Sequence, residues 1–559
     1  SFWLVLCAGL MTVVFWGAFG ERYNLAEHGH KAFQSFATLN RMSAEGAFLY
    51  IAGFGALFGA YWFGYHFGVR RLVMKGRSSS RLAWVVAIGG TAMFNAALMP
   101  MLPADAADIY DYIIRGRMSA FYGLNPLKDT PNQIPEDPFL RYAAWDDVPS
   151  AYGPAWEILA AVAAYLAGND NTHNVIVFKL LAVAGYALTA LLVALTLKQL
   201  APRRIIVGFY LFAWNPLVVF MCSGTGHNDS WMAAAMLLGL YLLSHERYRG
   251  AILAAILGTA IKFIGILLIP LIVIMAFRRL KRPQWAAFMI SSCLASAILA
   301  VVLYAPFWIG WETLRTERRA AMYTGSAATI IRQVLAPILD GKGGDSWVID
   351  TPVTNTLLAN LTLGIFALIY LGQAFLVFRK PTLEQIVRSI TWILLGYLLI
   401  ASLWFQAWYV IWVLPLAALL DDGFLRRFTL WFSYLVTWQP FLYNWVTLRP
   451  GQRAPLPWRD LVPVAVHIGG TWFTALWYPI RWWLAAGVCT PYTLRIGKRL
   501  TDLRQKVGLT PSEASDQAGI PTDVLLRLEH GIPPIPLQWV ASLEALYGEE
   551  NDLMNDFLR

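Results

Sequence analysis

The sequence predicts an all-α, polytopic membrane protein with about 14 crossings, followed by a small charged helical domain. Three observations carry this. Of its 559 residues, 58% are hydrophobic and only 14% charged, whereas soluble chains carry about 25% charged residues. Apolar stretches of roughly 17–25 residues, long enough to cross a bilayer as helices, recur along most of the length. After Thr490 the composition turns polar.

The spans fall at approximately 1–20, 45–68, 82–102, 174–197, 205–222, 229–244, 284–309, 353–378, 388–404, 408–420, 428–446 and 461–487. The first lacks a basic leader and a small-residue cleavage pattern, so it reads as a retained span rather than a signal peptide. Between the spans lie basic clusters, among them Arg70, Arg71, Lys75, Arg77 and Arg81; Lys198, Arg203 and Arg204; and Arg278, Arg279, Lys281 and Arg282. The positive-inside rule puts these in the cytoplasm, and they account for the net charge of +10 without nucleic acid. Residues 250–277 are apolar but basic at both flanks. Two short helices meeting near Lys262 reconcile the flanks, complete the 14 crossings and leave both termini cytoplasmic. Segment 153–167 is short and is expected along the interface. The four cysteines, Cys7, Cys222, Cys293 and Cys489, have no disulfide or zinc spacing.

This topology puts loop 103–150 outside, where "ADIYDYIIRGRMSAFYGLNP" (107–126) sets two carboxylates, two arginines and three tyrosines beside a span. "SGTGHND" (223–229), "WETLRTERRAAMYTGS" (311–326) and "FQAWY" (405–409) reach the same face. Ionisable groups near membrane depth are expensive and are functional candidates. A carboxylate here can take a proton from a hydroxyl. Cationic, histidine and amide side chains can hold a leaving phosphate, and aromatic rings suit sugar faces and headgroups. Together these fit glycosyl transfer from a lipid-phosphate-linked sugar. A transporter would favour buried charge at mid-bilayer and internal repeats.

The segments "DIYDYIIRGRM…YGLNPL", "AYGPAWE", "FAWNPLVV", "GHNDSWMAAAMLLGLYLL", "AILGTAIKFIGILLIPL" and "AWYVIWVLPLAAL", over roughly residues 80–420, resemble the GT-C superfamily of membrane glycosyltransferases. The resemblance is closest to bacterial polyprenyl-phosphate-mannose-dependent α-mannosyltransferases. It implies a domain over 1–490 with an outer catalytic loop at 103–152. Aligning the family's D-x-x-x-Y-x-x-x-G-R selects Asp108 as base on the acceptor hydroxyl, followed by Tyr112, Gly116 and Arg117. Asp105 and Asp111 have weaker claims. His227, Asn228 and Asp229 match the family's HND, although Asn228 or Asp229 would also cap a helix. Lys262, at the expected hairpin apex, is a candidate for the donor phosphate, as are His227, Asn228, Tyr112 and Arg117; a snorkelling structural lysine is the alternative. Gln406, Trp408, Tyr409, Asp111, Asp229 and Arg315 are candidates to line the substrate site. An interfacial aromatic belt is the alternative for Trp408 and Tyr409, and headgroup contact for Arg315 with Arg318 and Arg319. No cofactor is required; a divalent metal stays open, because cationic side chains can stabilise a monophosphate alone.

Residues 491–559 form the second domain. "RIGKRLTDLRQKVGLTPSEASDQAGIPTDVLLRLEHG" resembles the lambda-repressor-like helix-turn-helix family, with Gly519 in the turn, Ile520, Leu525 and Leu528 in the core, and Glu529 and Gly531 closing it. The domain holds seven Lys/Arg against ten Asp/Glu, whereas a DNA reader wants a basic footprint. Val524 and Leu526 also stand where polar, groove-facing residues are usual. A cytoplasmic protein partner is therefore expected rather than DNA.

The expected function is transfer of a sugar, mannose by the resemblance, from a polyprenyl phosphate to a glycolipid, glycan or protein acceptor hydroxyl. The place is the outer face of a bacterial cytoplasmic membrane, in the cell envelope. The alternatives are a membrane-anchored helix-turn-helix regulator and a lipid or sugar flippase.

Overall fold

The computed structural model describes residues 2–29, 34–74, 80–105, 108–314, 323–341, 351–421, 423–447, 458–473, 491–531 and 537–548. Among them the secondary structure is helical, with two isolated bridges, Asn24 to Met101 and Thr324 to Trp404. The chain divides into two compact units, Ser1–Gly470 and Thr471–Arg559.

In the first unit the helices that position the site are α1 (Phe2–Val14), α2 (Ala44–Phe63), α3 (Arg81–Leu98), α4 (Asp108–Tyr122), α5 (Pro154–Ala167), α6 (Asn171–Leu200), α7 (Asp229–Ser244), α8 (Tyr248–Thr259), α9 (Ile269–Arg279), α10 (Trp285–Tyr304), α11 (Pro352–Arg379) and α12 (Leu383–Gly396). Among the described residues, seven helical segments are long and apolar enough to cross a membrane, each built around one of α1, α2, α3, α6, α10, α11 or α12. A pair bent by 53°, Pro202–Ala213 with Pro216–Gly224, makes an eighth. Six further apolar helices, α5, α7 and α8 among them, are 10–17 residues long. The chain is thus a multi-pass membrane protein, and length and composition account for seven or eight of the 14 expected crossings. Among the other expected crossings, 229–244, 408–420, the first arm of 250–277 and the start of 461–487 fall on these shorter helices. The outer faces of α10 and α11 expose Ile290, Leu294, Ile298, Leu361, Leu368 and Leu371, which suits hydrocarbon rather than water.

Local chemistry fixes several ends. Asp170 caps α6 by accepting from the His173 N–H at 2.8 Å, and Ser43 caps α2 through the Gly46 N–H. The C-terminus of α3 is closed by a buried lysine: Lys179 of α6 donates to the carbonyls of Leu98 and Met99, each at 3.2 Å, and of Met101. An amine there satisfies orphan carbonyls at the helix end.

Residues 248–279 form a hairpin. α8 stops at Thr259, Lys262 is extended (φ −137°, ψ 129°), a 3₁₀ turn spans Phe263–Leu268, and α9 returns. Gly265 lies so close to Gly258 that a Cβ on it would sit 2.7 Å from the Gly258 carbonyl carbon. At the other end Tyr248 and Phe277 both pack on Phe288. Basic residues flank both ends and Lys262 stands at the apex.

The second unit contains Pro491–Lys506, Pro511–Ala518, Thr522–Glu529 and Leu537–Tyr547, here α13 to α16. Ile496, Leu500, Ala514, Ile520, Leu525, Leu528 and Leu543 form its core. Thr510 and Glu513 make a reciprocal capping box. Gly519 ends α14 at φ +67°, a left-handed position that a side chain would strain. Arg504 binds Glu529 through two parallel contacts of 2.6 and 2.9 Å, locking α13 onto α15.

Candidate functional site

The site starts from Asp108, the first residue of α4. Its Oδ2 accepts from the Tyr152 hydroxyl at 3.2 Å and lies 3.8 Å from Nδ1 of His227. The Tyr152 hydroxyl also lies 3.3 Å from the Tyr112 hydroxyl, one turn along α4. Tyr152 closes the outer loop just before α5. Gly153, next in the chain, donates to the Ile261 carbonyl at 3.1 Å, and Ala155 donates to the Ala260 carbonyl at 2.9 Å. A Cβ at 153 would stand 2.2 Å from the Ala260 oxygen, so only glycine lets the loop seat on the hairpin apex.

That seating brings Lys262 into the site. Its ammonium donates to Asp229 Oδ1 at 2.6 Å and lies 5.4, 5.5 and 5.7 Å from the ring centres of Tyr152, Tyr409 and Trp412, within cation–π range. The Trp412 indole N–H also donates to Asp229 Oδ1. Asp229 is fully buried as the first residue of α7, where a carboxylate gains from the helix dipole.

His227 and Asn228 fill the space between these groups. Both are fully buried, and neither ring nitrogen of His227 nor either amide atom of Asn228 has a hydrogen-bond partner among the described residues. Four orphaned polar atoms on adjacent residues are costly unless a ligand meets them. The His227 ring stacks on Trp408, centroids 4.0 Å apart and planes at 17°. Burial first, and then the charge of Lys262, hold the imidazole well below its ordinary pKa. It is therefore a neutral donor-acceptor beside Asp108 rather than the cation of an ion pair. Burial likewise drives the Tyr112 hydroxyl well above its usual range, helped by the charges of Tyr152, Asp108 and Asp229; it stays protonated.

The structure thus brings together Asp108, Tyr112, His227, Asn228, Asp229, Lys262, Trp408 and Tyr409 from four stretches of chain. Two candidates stand apart from this group. Arg117 lies on the opposite face of α4 from Asp108, nine residues and half a turn away in phase. There it binds Asp137 at 2.8 Å, donates to the Gly168 carbonyl and packs over Phe121 and Phe139, so it fastens the outer loop instead of meeting a phosphate. Asp111 is likewise turned inward: it pairs with Arg115 at 3.3 Å and accepts from the Trp145 N–H. Gln406 precedes the 3₁₀ turn Ala407–Trp412 and lines a cavity beside Trp408. Arg315 lies outside the described residues. Among the described residues no three His, Cys, Asp or Glu side chains gather as a metal site. Tyr152 and Trp412 were not singled out by sequence. The signal for Tyr152 was present in "AYGPAWE", where a tyrosine precedes the one glycine that permits close approach.

Comparison with known proteins adds a family resemblance. A family model described as "Alpha-(1->6)-mannopyranosyltransferase, N-terminal domain" matches residues 5–278. That stretch includes Asp108, Tyr152, His227 to Asp229 and Lys262, but not Trp408 to Trp412. The chain is 20% identical over 256 residues to alpha-(1->6)-mannopyranosyltransferase A of Corynebacterium glutamicum, covering 45% of this chain and 48% of that protein. It is 25% identical over 236 residues to the A protein of Mycobacterium tuberculosis, covering 40% and 45%. To alpha-(1->6)-mannopyranosyltransferase B of C. glutamicum it is 27% identical over 178 residues, covering 30% and 28%. The matches thus span about half, or less, of the length of these relatives.

Proposed function

We propose that this protein is a GT-C-type glycosyltransferase that moves mannose from a polyprenyl-phosphate donor to an acceptor hydroxyl on the outer face of the cytoplasmic membrane. The observation that carries the reading is the meeting of one partly accessible carboxylate with one caged lysine. Asp108 keeps 20% of its side chain exposed, whereas Asp229 is sealed against Lys262. Two carboxylates in such different settings suit different roles.

In this mechanism the acceptor oxygen attacks the anomeric carbon of the donor sugar. The bond from that carbon to the phosphate oxygen breaks, and the lipid phosphate leaves with the bonding electrons. Asp108 takes the acceptor proton; Tyr152 orients its carboxylate. Lys262 offers the N–H groups not directed at Asp229 to the phosphate, and His227 and Asn228 offer their unpartnered groups beside it. Charge-assisted donors of this kind stabilise a growing oxyanion most strongly where water is excluded. The printed names of the relatives, mannopyranosyltransferases, support mannose as the sugar. Residues 491–559 we assign as a helix-turn-helix module for a cytoplasmic protein partner: their balance of seven basic to ten acidic residues works against DNA.

The test is donor choice. Purified protein in nanodiscs should move labelled mannose from polyprenyl-phosphate mannose to an added mannoside and should not use GDP-mannose. Use of the nucleotide sugar alone would overturn the donor assignment.

A further inference from the structure

A cavity of about 340 Å³ lies against the back of the Trp408 ring, within the roughly 300–1,000 Å³ range of small-molecule sites. Its walls include Trp404, Trp408 and Tyr443, and its polar groups include Asp105, Gln439 and Asn444. Gln406 and Thr225 also reach it. Because Trp408 stacks on His227 and Thr225 is two residues before it, the cavity shares a wall with the site of Asp108 and Lys262.

Two of its polar residues are incompletely satisfied. Asp105 uses Oδ1 to accept from Asn444 at 2.7 Å and from the Phe36 N–H at 3.3 Å, while its Oδ2 has no hydrogen-bond partner among the described residues. Gln439 is buried, its Nε2 reaches the Phe405 carbonyl only at 3.5 Å, and its Oε1 has no partner. Asp105 is held at φ +62°, a backbone state that non-glycine residues adopt rarely and mostly at functional or turn positions. Burial raises its carboxyl to about 7, so near neutrality it can donate as well as accept.

Aromatic faces beside a carboxylate and three amides, Gln406, Gln439 and Asn444, do not suit a prenyl chain, which has nothing for the amides to bind. They suit a ring with one apolar face and a rim of hydroxyls: aromatic side chains cover the C–H face, and the carboxyl and amides meet the hydroxyl edge. We propose that this cavity is a pyranose subsite of the transferase, with Asp105 and Gln439 recognising sugar hydroxyls and Trp404 and Trp408 its apolar face. The proposal rests on the glycosyl-transfer reading, and the ring could come from the acceptor or from the donor.

Full-length protein in nanodiscs carrying Gln439→Leu, Trp404→Leu or the shape-conserving Asp105→Asn would be tested with three probes: methyl α-D-mannopyranoside, undecaprenyl phosphate and undecaprenyl-phosphate mannose. The expected result is a loss of tenfold or more in mannopyranoside binding, read by saturation-transfer NMR, in at least Gln439→Leu and Trp404→Leu. Binding of the sugar-free lipid phosphate should be unchanged, which also shows that the variants are folded. Loss for the free mannoside alone assigns the ring to the acceptor; loss for the lipid-linked mannose as well assigns it to the donor. Variants that bind both sugar probes like the parent would overturn the subsite while leaving transfer by the parent intact. A parent that transfers no mannose fails the functional reading instead, and the binding comparison then judges the cavity alone. A parent in which no sugar probe binds would mean that the cavity holds only water.

Discussion

At the scale of single residues, the buried pair of Lys262 and Asp229 makes the sharpest demand. Removing one partner of a buried ion pair leaves an uncompensated charge, at a cost of about 3–5 kcal/mol. Lys262→Met should therefore lower the thermal midpoint strongly, and Asp229→Asn with Lys262→Met should recover most of it. Both should still lose about 1.5–3 kcal/mol of donor affinity, the value of a hydrogen bond to a charged group. A double variant that binds donor like the parent would remove Lys262 from the phosphate site. Lys262 was legible in the sequence because a lysine within an apolar run with two basic flanks has few places to go. Trp412 was not: an aromatic residue near an interface has the same local signature whether it belts the membrane or donates to a buried carboxylate. The contact of Arg117 was not legible for a related reason, since its partner Asp137 stands 20 residues away in a loop that no periodicity describes.

At the scale of elements, a buried carboxyl ties the end of the outer loop to α5. Glu157 of α5 accepts from the Ser150 hydroxyl at 2.5 Å, and its other oxygen has no partner. Burial lifts its carboxyl from about 4.5 to about 7, against the opposing pull of Ser150 and Arg115. The folded state thus holds this proton where the unfolded chain has released it. Glu157 therefore favours folding at low pH, and that stability declines as pH rises from about 4.5 through 7. Glu157→Gln should flatten this part of the pH profile, leaving stability near pH 4.5 unchanged and raising it at pH 8 by on the order of 2–3 kcal/mol. Thermal melts across pH in nanodiscs read this directly; parallel profiles would contradict it. The long helices, and the hairpin at 250–277, were legible because hydropathy and flanking charge are local in sequence. The seating of Gly153 on Ala260 was not, because it joins segments over a hundred residues apart.

At the scale of the whole molecule, every group assigned to chemistry lies within Ser1–Gly470. Deleting residues 491–559 should leave transfer in nanodiscs largely intact; a folded truncation without activity would mean that the second unit contributes to the reaction. The order of motifs along the first unit carried the resemblance, and the family model covers all but the last of them, matching residues 5–278. The later turn carrying Trp408, Tyr409 and Trp412 joins the site only through the fold, which brings residues 183 apart in sequence onto one carboxylate oxygen. The spacing of motifs therefore announced the kind of site, while its aromatic cage and adjoining cavity needed three dimensions.

The central claim is that Asp108 is the base. Positioned proton transfer supplies roughly 10²–10⁴-fold in rate, and a group that acts only in the transition state changes turnover rather than ground-state binding. Asp108→Asn keeps the shape and the contact with Tyr152 but cannot take the proton. The decisive measurement is turnover and donor affinity of this variant, with labelled polyprenyl-phosphate mannose in nanodiscs. A fall of about 10²–10⁴-fold in kcat with donor affinity unchanged is the predicted result, and parental turnover would contradict the assignment.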